Sequence, residues 1–100
     1  MTPEDVGRYA ESLPRVKRKG TQARPAWYVD DRLVVRLQDS DTAVVRVPLS
    51  DREQLLDAYP DSFGVPPRME AHHKVEAYLY RAPAAAVRAA IDLAYEMQRR

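Results

Sequence analysis

Residues 25–47 read PAWYVDDRLVVRLQDSDTAVVRV. Three runs rich in β-branched and aromatic residues are separated by two short acidic segments, the pattern of strands joined by tight turns. Asp30-Asp31 supplies the first turn, because short acidic side chains tolerate turn conformations, and Asp39 to Asp41 supply the second. Side chains alternate faces along a strand, so Leu33, Val35 and Leu37 share one face and Val34, Arg36 and Gln38 the other. In the next strand Ala43, Val45 and Val47 oppose Val44 and Arg46. The uncharged face is expected to carry helices. The face bearing Arg36 and Arg46 is expected to meet solvent or a partner.

Upstream, Thr2 is placed to cap a helix that has Pro3 at its first position and Glu4 and Asp5 in its first turn. Val6, Tyr9, Ala10 and Leu13 then recur at helical spacing, and Pro14 stops the run. Downstream, Ser50 and Glu53 have the spacing of a capping box before Leu55, Leu56 and Tyr59. Residues 63–67 read as a proline-rich connection and Lys74 to Tyr80 as a further strand. Pro83 opens a last helix with Val87, Ala90, Ile91 and Ala94 on its buried stripe, and Arg88 and Asp92 one turn apart on its solvent side. The expected fold is α+β: one domain over residues 1–100, an antiparallel sheet with helices on one face, including N-terminal and C-terminal helices. Leu33, Val35, Leu37, Val45 and Val47 are expected to pack against Val6, Leu13, Val87, Ile91 and Ala94.

One hundred residues suit one core, and 45% hydrophobic content is that of a globular chain. Cysteine is absent, which removes disulfides, thiolate metal sites and thiol nucleophiles. The N-terminus has neither the basic nor the apolar region of a signal peptide, and no run approaches the length of a membrane span. A soluble, cytoplasmic protein with no membrane partner is expected. The net charge is only +1, but Arg15, Lys17, Arg18, Lys19 and Arg24 fall together without an acid, leaving 11 basic against 15 acidic residues elsewhere, a net −4. Such segregation points to a charged partner.

The segment LPRV after the first helix, the hairpin PAWYVDDRLVVRL, the block PLSDREQLLDAYPDSF and the final AVRAAIDLAYEMQRR resemble the MmcQ/YjbR family over nearly the whole chain. The resemblance implies a frataxin-like (CyaY-like) fold and a DNA-binding role, which is ascribed to the family from fold and surface charge, with no established enzymatic activity. Two positions depart from the family pattern. The turn is Asp30-Asp31 where a glycine-containing turn is usual, and Glu76 and Tyr78 stand where a tryptophan is often found.

The candidate nucleic-acid surface is therefore Arg15, Lys17, Arg18, Lys19 and Arg24, extended by Arg36 and Arg46 across the sheet. Cations in this arrangement neutralise phosphates without reading sequence. Tyr28 is placed to stack on an unpaired base, whereas Trp27, of opposite parity, is expected in the core. Two other readings compete: a charged edge strand that resists aggregation, and a protein-interaction surface with Tyr28, Val34 and Val44 as apolar contacts. No enzyme, cofactor or metal site is expected. Adjacent His72 and His73 point to opposite faces of an extended chain, and Glu4, Asp5 and Glu11, interrupted by Arg8, are too few for an iron-binding ridge. Three glycines form no phosphate loop, and no serine lies in a nucleophile elbow.

Overall fold

Thr2 caps the first helix reciprocally. Its hydroxyl accepts from the Asp5 amide at 3.1 Å, and the Asp5 carboxylate accepts from the Thr2 amide at 3.0 Å. This helix, α1, spans Pro3–Ser12 in the computed structural model, which describes residues 1–99. It is followed by β1 (Lys17–Gly20), β2 (Pro25–Val29), β3 (Arg32–Leu37), β4 (Thr42–Val45), α2 (Leu49–Ala58), β5 (Phe63–Gly64), a 3-10 turn (Pro67–Met69), β6 (Val75–Tyr78) and α3 (Ala84–Gln98). No helix among the described residues is long and apolar enough to cross a membrane.

The strands form one antiparallel sheet in the order β1-β2-β3-β4-β6-β5. Asp30 and Asp31 both adopt positive φ, 50° and 62°, so the β2–β3 hairpin closes through a turn of the left-handed kind that matches strand twist. At the β3–β4 turn the Asp39 carboxylate accepts from the amides of Asp41 and Thr42 at 2.8 and 2.9 Å. Trp27, Val35, Val45 and Val75 lie in one cross-strand row, and Leu37, Ala43, Ala77 and Phe63 in the next. Both rows belong to the core, together with Val6 and Ala10 of α1, Leu55 of α2, and Val87, Ala90, Ile91 and Ala94 of α3. α3 lies over β3 and β4, α1 packs on β1, β2 and α3, and α2 touches α3 and β5. The α+β arrangement with helices on one face is the expected one.

Three details differ from the sequence reading. The register shifts between Trp27 and Tyr28, so Leu33 faces Tyr28 in register. Val34 is buried within the core, and Leu33 is left half-buried outside it. A bulge of this kind breaks strict alternation. α2 begins at Leu49 after an extended Pro48, so Ser50 lies inside the first turn and no side chain caps the helix. The proline-rich connection contains a strand, because Phe63 and Gly64 pair with Ala77 and Glu76. The basic residues Lys17, Arg18 and Lys19 lie on a strand, β1, at the sheet edge, the placement that the edge-strand reading expects.

Two tyrosines tie α3 to the N-terminal segment. Tyr9 donates to Asp92 at 2.5 Å and Tyr95 to the Pro14 carbonyl at 2.9 Å. Asp92 thus serves α1 instead of only facing solvent beside Arg88. The charged residue most deeply placed is Arg52 of α2, 6% exposed. Its guanidinium donates to the carbonyls of Met69, Glu70, His72 and Lys74 at 2.8–3.3 Å, fastening the loop that leads into β6.

Candidate nucleic-acid interface

The face of the sheet opposite the helices carries the charge. On β1, Lys17 pairs in register with Tyr28 and Lys19 with Ala26, which puts both lysines on this open face. Arg18 pairs with Trp27 and therefore points to the helix side. There it borders a cleft of about 820 Å³ beside α1, with Gly7, Arg8 and Glu11. Trp27 is 3% exposed and donates from Nε1 to Glu11 at 3.0 Å, so it is a core residue as expected. Arg15 has φ 66° and lies outside β1, so it does not continue the Lys17–Lys19 row. Arg24 lies in the exposed β1–β2 connection.

The turn acids neutralise part of this segment. Arg15 pairs with Asp30 at 3.2 Å and Lys19 with Asp31 at 3.0 Å. The hydrogen bond from Lys19 holds the Asp31 carboxyl below its ordinary value of 3.8. Lys19 also lies 5.3 Å from the Tyr28 ring centre. Together Arg15, Lys17, Lys19, Tyr28, Asp30 and Asp31 line a groove of about 330 Å³. The densest cluster on the chain in sequence is thus partly self-paired in space.

The uncompensated charge sits further into the sheet. Arg36 lies in register between Ala26 and Val44, and Val44 between Arg36 and Glu76. Arg46 follows β4, and Lys74 precedes β6 with the parity of Glu76. Burial pushes the Lys74 ammonium below its ordinary value, and the charges of Arg36 and Arg46 push it further the same way. Register places the three cations together: one step past the Val45–Val75 pair Arg46 lies opposite Lys74, and Arg36 pairs with Val44, two residues from Arg46 on the same face. None has an acid within ion-pair distance among the described residues. Val34 and Val44, expected as apolar contacts for a partner protein, are both fully buried, so neither offers a contact surface. The long side chains flanking Val44 can cover it with their stems.

Beyond this trio the face changes character. Glu76, 8% exposed, accepts from Gln38 at 3.2 Å and from Arg68 at 3.4 Å. Tyr78 reaches over Gly64, where an added Cβ would run into its hydroxyl. Burial raises the Tyr78 phenol above its ordinary value, and the charge of Glu76 raises it further. Past the strand end, Arg81 donates to the Tyr80 hydroxyl at 2.6 Å and stacks 4.9 Å from its ring and 5.4 Å from that of Tyr78. His72 and His73 are exposed in the loop held by Arg52, and no group of three metal-ligating side chains forms among the described residues.

Lys74, Tyr80 and Arg81 were not among the residues expected at this surface. Lys74 had a signal, since its parity in KVEAYLY is that of Glu76 and Tyr78. No protein-family model matches the chain, and no curated protein or solved structure matches it.

Proposed function

We propose that the chain is a non-enzymatic module that binds nucleic acid through the open face of its sheet, as the resemblance to the MmcQ/YjbR family implies. The observation that carries this reading is the unpaired trio of Arg36, Arg46 and Lys74. Like charges held together destabilise a fold, and a polyphosphate backbone relieves that repulsion while releasing its own counterions. Lys17 and Lys19 extend the same face towards the edge, and Tyr28 lies between them and the sheet interior. Arg15, Arg24 and Arg18 play smaller parts, the first paired and the last on the opposite face. Contacts of this kind position a backbone and do not read its sequence.

The test is a titration of duplex and single-stranded DNA at two salt concentrations. Binding should weaken steeply with salt. Reversing Lys17 and Lys19 to glutamate should weaken binding across all sequences and flatten the salt slope by about two units, roughly one per lost phosphate contact. Reversing Arg36 alone should flatten the slope by about one unit and cost more affinity per residue, since Arg36 is unpaired in the free protein and Lys19 is not. Failure of the parent protein to bind DNA at low salt would overturn the reading in favour of a protein partner.

A further inference from the structure

Tyr80 is 62% exposed, the most exposed of the large hydrophobic side chains on the molecule. Exposed tyrosines are usually mobile, but this one is held. Its hydroxyl accepts from Arg81 at 2.6 Å, the Arg81 guanidinium lies 4.9 Å from its ring, and the Tyr78 ring lies 6.4 Å away. The result is a preset π surface with one ring open to solvent. An aromatic fixed in place before binding loses little rotamer freedom when a second flat group stacks on it.

The platform lies at the opposite end of β6 from the cationic trio. Lys74 precedes the strand and Tyr78 ends it, so about 13 Å of extended chain separates the two. Glu76, the acid between them, is buried and paired with Arg68, whose exposed cation lies beside it on this face. The trio attracts phosphates and the platform attracts a planar, polarisable group. A backbone carrying accessible bases satisfies both at once. A duplex satisfies only the first, since its bases are stacked on one another.

We propose that Tyr80, backed by Arg81 and Tyr78, stacks on an unpaired base of a single-stranded nucleic acid whose phosphates lie on Arg36, Arg46 and Lys74. This rests on the nucleic-acid reading above and narrows it to single strands.

The experiment compares the parent protein with Y80A, Y80F and R36E by fluorescence anisotropy, using a short oligo(dT) strand and a duplex of the same length. Y80A should weaken single-strand binding by about ten-fold, the size of one lost base stack, and leave duplex binding unchanged. Y80F keeps the ring and should retain most of the affinity. R36E should weaken both ligands. Equal single-strand affinity for Y80A and parent, with R36E still impaired, overturns the stacking role and leaves the nucleic-acid reading intact. Absence of binding by the parent overturns both. All three variants should retain the parent's circular dichroism, because residue 80 is exposed and residue 36 lies on the open face.

Discussion

Gly7 of α1 and Trp27 of β2 are fitted to each other so closely that a Cβ on residue 7 would lie 2.6 Å from the indole Cζ2. Gly7 is buried, and the indole is tethered to the same helix, one turn further along, by the bond from its Nε1 to Glu11 at 3.0 Å. Replacing glycine by alanine inside a helix ordinarily stabilises by about 1 kcal/mol. Forcing a side chain into a packed core costs about 1–3 kcal/mol. With the indole tethered, the second effect should win. G7A is expected to lose about 1 kcal/mol net, read as a lower urea midpoint at unchanged slope. A raised midpoint would show that Trp27 can move aside.

Arg52 should prove more important to stability than the exposed charged residues of the helices, because it is buried. Its loss leaves four carbonyls of residues 69–74 to find water on their own. R52M keeps the stem and removes the donors, and is expected to destabilise by about 2–3 kcal/mol, as losing a buried charged donor does. The loop amides should also exchange faster with solvent. A loss below half a kcal/mol would mean the loop orders itself.

Asp31 separates stability from binding. Its φ of 62° suits glycine better than aspartate, and its ion pair with Lys19 is at the surface, where such pairs contribute little. D31G should therefore leave stability level or raise it slightly, read as an equal or higher urea midpoint, because glycine relieves the positive φ while adding freedom to the unfolded chain. Freeing Lys19 should at the same time tighten DNA binding at low salt. Tighter folding with weaker binding would argue that Asp31 orients Lys19 productively.

Lys74 makes two opposite pH effects. In the free protein its ammonium is held below the ordinary 10.5, so the unfolded chain binds the proton more tightly. Stability from this group should rise with pH through the lowered value, until Tyr9 and Tyr78, both held above 10.0, begin to oppose it. Phosphates favour the charged ammonium, so DNA affinity should fall with pH through the same range. K74M should bind more weakly and lose that pH dependence. A K74M profile identical to the parent's would remove Lys74 from the surface.

The core was readable because its signals are local. Val35, Leu37, Val45 and Val47 alternate as strands must, and Val87, Ala90, Ile91 and Ala94 repeat as a helix must. Leu33 escaped because a bulge is a property of two strands together and leaves no mark on one. β5 escaped because two residues have no periodicity, and its strand character comes from Ala77 and Glu76 across the sheet. At the candidate interface, counting charge along the chain favoured Arg15 to Arg24. Asp30 and Asp31 fold back onto two of those cations, while Lys74 arrives beside Arg36 from a distant segment. Linear clustering found the face without finding where its charge is uncompensated.

The placement of β6 governs when the sheet can be completed. Val45 pairs with Val75, thirty positions later, and the helix that covers β3 and β4 follows later still. Neighbouring hairpins can zip early, but this pairing must first close a long loop. A chain leaving the ribosome with only β1 to β4 exposed would present Val35, Leu37 and Val45 uncovered. Its vulnerable interval ends when α3 emerges, so chaperone demand during synthesis should track the delay in translating residues 75–98.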